Sequence, residues 1–195
     1  MRSLCILFLV AAFSSTGYAV PDSLKRSVAY YNTFTSGMMI GCGDCLRGKD
    51  LTATFSMSHG IVFPSGIRLA AGTGLDVYSE WRMIPLVAGF TWDKQKRSNG
   101  LYFHLNSGYA FGQYLRPDQG SFFREEERGG FTVNPMIGYR IGREKLRVYL
   151  QAGYKYQQAY YALHYDGGRP GIPSYSIERD YQLQRLVVQL GFGFN

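Results

Sequence analysis

From Leu146 to Ala162 the residues sort by position into two sets: the even positions read Leu, Val, Leu, Ala, Tyr, Tyr, Gln, Tyr, Ala, and the odd positions from Lys145 read Lys, Arg, Tyr, Gln, Gly, Lys, Gln, Ala, Tyr. A helix mixes such sets within one turn; only an extended strand with one apolar face keeps them apart. The pattern recurs. In Phe131 to Ile141 the odd positions are apolar or aromatic and the even ones are Thr132, Asn134, Met136, Gly138 and Arg140. Leu101, Phe103, Leu105, Tyr109 and Phe111 likewise oppose Tyr102, His104, Asn106, Gly108 and Ala110. Similar runs cover 51 to 63, 67 to 78, 82 to 92 and 186 to 194, with a weaker one near 28 to 40. Together they predict eight strands, each near the ~9 to 11 residues that a tilted strand needs to cross a bilayer.

Alternation alone fits a soluble barrel with an apolar interior as well as a membrane barrel with an apolar exterior. Glycine decides between them. The chain has 24 Gly in 195 residues without collagen periodicity, and many of them (Gly72, Gly74, Gly108, Gly112, Gly138, Gly153, Gly191, Gly193) fall on the less apolar face. Glycine weakens a strand and gains nothing on a water-facing surface, but it makes room inside a narrow barrel. The same face carries Arg68, Asp76, His104, Asn106, Arg140, Arg147, Gln151, Lys155 and Arg185. A polar, glycine-rich inside with an apolar outside predicts an all-β, eight-stranded antiparallel up-and-down transmembrane β-barrel. Mean hydropathy is −0.16, and no apolar run approaches the ~18 residues of a membrane-crossing helix.

The connections give the barrel a direction. Pro64-Ser65-Gly66 and Gly142-Arg143-Glu144 are tight turns and Asp93 to Gly100 is a modest one, whereas Cys42 to Asp50, Leu115 to Gly130 and Leu163 to Ser174 read as longer loops on the opposite rim. Short periplasmic turns and long outer loops are the habit of transmembrane barrels. Outward aromatics fall near the short-turn ends (Phe63, Phe90, Trp92, Phe103, Tyr139, Phe192, Phe194) and near the other ends (Phe111, Phe131, Tyr156, Tyr160), as two interfacial girdles would. Between Tyr181/Leu183 and Leu186 the apolar phase changes, and a β-bulge near Gln184-Arg185 is expected to absorb it.

The amino terminus sets the compartment. Met1-Arg2, an apolar run from Leu4 to Phe13 and Gly17-Tyr18-Ala19 read as a secretory signal peptide over residues 1 to 19, leaving a barrel domain over 20 to 195. Its removal deletes one of the 21 basic residues and none of the 14 acids, so the net charge falls from +7 to +6. An exported chain with that balance rarely meets nucleic acid. The mature chain keeps Cys42 and Cys45. Export and an even count favour a small loop disulfide over a metal or redox pair, with free thiols the remaining alternative.

These features together resemble the small outer-membrane β-barrel family of the OmpX and OmpA barrel type, in the versions found in Bacteroidota. The residues that carry the resemblance are the leader, the strand Gly66-Ile-Arg-Leu-Ala-Ala-Gly-Thr-Gly-Leu-Asp-Val-Tyr78, the strand Ile84-Pro-Leu-Val-Ala-Gly-Phe90, Asn134-Pro-Met-Ile-Gly-Tyr-Arg140 and the closing Leu186-Val-Val-Gln-Leu-Gly-Phe-Gly-Phe194. The resemblance implies a monomer in the outer membrane of a Gram-negative cell. It also implies surrounding outer-membrane lipid and a barrel assembly machinery that reads a terminal aromatic signal. Here that signal is Phe192 and Phe194, displaced by one residue because Asn195 is last.

Eight strands enclose a space that side chains fill, so a general diffusion pore is not expected. The inward set Arg68, Arg140, Arg147, Lys155 and Arg185 faces one clear acid, Asp76, which suits a hydrogen-bonded polar core with counter-charges from loops or waters or, alternatively, an anion-binding or anion-conducting lumen. Some small outer-membrane barrels modify lipid A, which needs a His held with a Ser and an acid. His59 and Ser58 point to opposite faces, His104 faces the lumen while Ser107 faces lipid, and His164 lies in an outer loop with Asp166, Ser174 and Ser176. The expectation is therefore a structural or surface-interaction barrel with no catalytic residue, cofactor or metal, and an extracellular ligand at the outer loops. Lipid A modification is the runner-up.

Overall fold

The computed structural model describes residues 28–41, 50–93, 99–115, 123–142, 146–165 and 175–194. The leader at 1–19 and the Cys42/Cys45 pair lie outside the described residues. The strands are β1 (Ala29–Gly41), β2 (Asp50–Val62), β3 (Ile67–Val77), β4 (Trp81–Trp92), β5 (Gly100–Tyr114), β6 (Phe123–Arg128), β7 (Gly130–Ile141), β8 (Leu146–Tyr165) and β9 (Tyr175–Phe194). All neighbours pair antiparallel, from β1 through β5 to β7, β8 and β9, and β9 pairs back onto β1. The ring is closed and exposes no edge to lipid, where an unpaired backbone group would be costly.

Nine segments make eight barrel strands because β6 and β7 form one strand broken by a bulge. Both pair with β8, but between Arg128↔Tyr160 and Thr132↔Gln157 one strand advances four residues while its partner advances three. The extra residue falls at Gly129-Gly130, where the missing side chains ease the kink. The expected loop from Leu115 to Gly130 is thus partly strand, and so is the start of the expected loop at Leu163, since β8 runs to Tyr165. The expected bulge at Gln184-Arg185 is absent: β8 and β9 stay in one register from Leu146↔Phe194 to Tyr165↔Tyr175.

The phase change in β9 has a different cause. Its inward residues are Tyr181, Leu183, Arg185, Val187 and Gln189, and its outward ones are Gln182, Gln184, Leu186, Val188 and Leu190. The strand keeps its phase; the solvent changes. Leaving β8 at Leu146, a strand tilted by ~40° climbs ~2.5 Å per residue and reaches Tyr156 after about 25 Å, the height of an outer apolar band. Beyond that level Gln158, Gln182 and Gln184 face outward while Ala159, Tyr161, Leu163 and Leu183 face inward. The wall is apolar outside where lipid touches it and apolar inside where water does. By the same measure Tyr160, expected in the outer girdle, stands above the band, with Arg128 5.8 Å over its ring.

The turns follow local chemistry. Phe63 N–H donates to Ile67 C=O at 2.8 Å around Pro64-Ser65, and Gly66 sits at φ +88°, in the left-handed region that suits glycine. On the opposite rim β3 and β4 join through Tyr78-Ser79-Glu80, where Tyr78 N–H donates to Trp81 C=O at 2.8 Å.

Candidate functional site

The interior is built in three layers. At the end with the short turns Arg68, only 4% exposed, donates to Tyr149 Oη at 3.0 Å and to Asp93 Oδ2 at 2.9 Å, and Arg140 pairs with the same carboxylate. The rings of Tyr31 and Tyr149 each lie 5.8 Å from the Arg68 guanidinium. Arg147 is half-buried at this end. Asp93 follows the last residue of β4, so a turn supplies the counter-charge that the strand pattern lacks.

The middle layer is a hydrogen-bonded chain. Tyr102 Oη donates to Gln151 at 2.9 Å, Gln151 to Gln189 at 2.6 Å, Gln189 to Thr54 at 3.4 Å, and Thr54 to Asp76 at 2.6 Å, with Lys155 paired to Asp76. Tyr102 fits because position 138 is glycine: a Cβ there would collide with its ring. His104 Nδ1 lies 2.7 Å from Thr91 Oγ1. Thr33, Thr35, Ser56, Ser58, Asn106 and Thr132 line the remaining space, a polar cavity of about 60 Å³ with room for a handful of waters.

Apolar side chains close the outer end. Met39, Tyr78, Trp81, Met83, Ala110, Ala159, Tyr161, Leu163 and Val187 form one buried cluster, flanked by Tyr114, Tyr181 and Leu183. Trp81 meets Tyr114 edge-on at 5.3 Å and Tyr181 at 5.7 Å, and Tyr114 meets Tyr161 at 4.5 Å. Burial raises the Tyr114 phenol to about 12 and pushes Tyr78 well above its usual 10, so both stay neutral. Arg185, 1% exposed, adjoins them, 3.7 Å from Asp50 and 5.8 Å from the Tyr78 ring centre.

The nine inward polar residues singled out from sequence all face the lumen, but they divide among these layers rather than forming one site. Asp93 and Asp50 were missed. A residue just past a strand and one at a strand's start carry no alternation signal. Trp81 and Tyr161 were missed as a stopper because the cluster that joins them forms between strands far apart in sequence and leaves no mark on the alternation of either. His59 faces outward on β2, and His164 lies on β8, rather than in a loop, 4.0 Å from Glu126. Phe192 and Phe194 face outward, 41% and 52% exposed. Among the described residues no group of His, Cys, Asp and Glu could hold a metal.

A closed antiparallel ring of eight strands, with Leu, Ile, Phe and Val outward and ion pairs within, is a small transmembrane β-barrel of the outer-membrane type. Among solved structures it is similar to Neisserial surface protein A (NspA), with a TM-score of 0.58 and 9% identity over 86% of this chain and 98% of that one. It also matches the outer membrane protein OprG from Pseudomonas aeruginosa, with a TM-score of 0.44 and 10% identity over 86% of this chain and 94% of that one. No protein-family model and no curated protein sequence matches the chain. The likeness to NspA is one of fold.

Proposed function

We propose that the protein is exported by its leader to the outer membrane of a Gram-negative cell and acts there as a monomeric structural or surface-interaction barrel, neither an enzyme nor a general pore. The observation that carries this reading is the outer wall. Strands β6, β8 and β9 continue ~22 Å above the apolar band by the same climb per residue, around an apolar stopper. They lift a polar face with charges of both signs, Arg124, Glu126, Arg128, Glu178 and Asp180, clear of the lipid. A rigid scaffold that raises mixed polar groups away from the membrane suits recognition of an extracellular partner. The outward Phe192 and Phe194 at the end of β9 suit recognition by the assembly machinery.

The test replaces the segments 116–122 and 166–174 with neutral Gly/Ser sequences and mutates Arg124, Arg128, Glu178 and Asp180 to Ser. The barrel should still show a heat-dependent shift in gel mobility while cell-surface binding to host or neighbour surfaces disappears. Lipid A profiling with and without the protein covers the enzymatic alternative. An unchanged lipid A profile is expected, and loss of an acyl chain would overturn the proposal.

A further inference from the structure

The lipid-facing wall carries a polar cluster where apolar side chains are the rule. On the outward face of β1 and β2, Tyr30 Oη lies 2.5 Å from His59 Nδ1, with the two rings stacked at 6.1 Å. Asn32 is the direct cross-strand partner of His59. Tyr30 is 50% exposed and His59 half-buried, so the group stands on the surface rather than in the lumen. His59 lies three residues before the end of β2, some 8 Å above the strand's periplasmic limit at ~2.5 Å per residue. With the short turns facing the periplasm, as the proposed function has it, this places the cluster at the interface of the periplasmic leaflet, where Asn32 pairs with the closing aromatic Phe194. An ionisable side chain on a membrane-facing surface is costly unless something polar meets it.

The neighbouring wall indicates what meets it. From His59 the cross-strand path on the outward face runs through Ala71, Ala88 and Ser107, all small. The parallel path below is Ile61, Leu69, Phe90 and Leu105, and the one above is Met57, Thr73, Leu86 and Tyr109. A shallow furrow therefore leads away from the polar cluster between two bulkier ridges. Three strand spacings of ~4.8 Å give it a length of about 14 Å along the wall, oblique to the membrane normal because the strands tilt by ~40°. When Tyr30 donates to Nδ1, the imidazole hydrogen sits on Nε2 and is presented as a donor.

The geometry points to a phospholipid site: the phosphodiester of a periplasmic-leaflet lipid accepts from His59 Nε2 beside Tyr30 and Asn32, and one acyl chain lies in the Ala71–Ala88–Ser107 furrow. His59 with Tyr30 makes the site, and the furrow sets the direction of the chain. The level on the wall selects phospholipid over the lipopolysaccharide of the outer leaflet.

Native mass spectrometry of the full barrel from detergent micelles tests this, with palmitoyl-oleoyl phosphatidylethanolamine, the diacylglycerol with the same chains, and lipid A as probes. The phospholipid should be retained as a single adduct and the diacylglycerol should not. His59→Leu should weaken retention about tenfold and Tyr30→Phe about threefold, as loss of a charge-assisted or a neutral hydrogen bond does. Ala88→Phe, which leaves the polar cluster intact and fills the furrow, should weaken it as well. Each variant is first checked for the heat-dependent gel shift of a folded barrel, and His59→Leu, apolar on a lipid-facing wall, is expected to pass. Equal retention by wild type and His59→Leu, equal retention of diacylglycerol, or preference for lipid A would each overturn the site.

Discussion

Asp93 holds two arginines with one carboxylate. Arg68 and Arg140 are 4% and 6% exposed, and removing the shared partner leaves buried guanidinium charge uncompensated, a loss of roughly 3–5 kcal/mol. Asp93→Ala is expected to lower the unfolding free energy, read from the urea curve for loss of the compact gel species, by that amount. A second residue-level test concerns space. Gly138→Val would drive a side chain into the Tyr102 ring and break the Tyr102–Gln151 bond, costing about 1–3 kcal/mol, measured by the same unfolding curve. The arginines and glycines of the lumen were legible in sequence because they repeat every second residue against an apolar set. Asp93 was not, because a turn residue has no phase; its identity as a counter-charge arises only when β3, β4 and β7 bring Arg68, Arg140 and the turn to one end of the barrel.

At the scale of elements, the most instructive strand is β9. Its lower half, Leu186 to Phe194, is legible as a membrane strand, while its upper half reads as out of phase with it, as though across a bulge, because Tyr181 and Leu183 fall on the face that is polar below them. Alternation was present throughout; the rule that apolar means outward holds only within lipid. The same reversal hides all of β6, and the end of β8 from Leu163 to Tyr165 reads as loop. The stopper that these segments enclose depends on Trp81, 1% exposed, whose ring occupies the space left by Gly112 across from Met83. Trp81→Ala should cost roughly 3–5 kcal/mol, as truncation of a buried tryptophan does. The effect should be local. Limited proteolysis of the variant should cut within 159–183 at a protease level that leaves the wild type intact, while the strands below Lys155 remain protected.

For the whole molecule, the two zones differ in what holds them together. Below Arg185 each strand has two hydrogen-bonded neighbours and the ring closes through β1 and β9. Above it β9 pairs, among the described residues, with β8 alone, so the outer wall is an open sheet standing on a closed one. Every ladder that closes the ring lies in the lower zone, and the barrel's architecture should therefore survive without the upper one. Joining Gln158 directly to Gln182, which face each other across the β8–β9 ladder, through a two-residue Asn-Gly turn removes the upper hairpin without shifting register. The shortened protein should insert into bilayers and keep its heat-dependent gel shift. Its urea midpoint should fall only modestly, since the Arg68–Asp93–Arg140 and Lys155–Asp76 layers are untouched, and any extracellular binding should be lost. It should also stay electrically silent in planar bilayers, because those two polar layers fill the lumen independently of the stopper. Porin-like conductance would place the seal in the outer aromatics alone, and failure to fold would mean that the two zones form one cooperative unit.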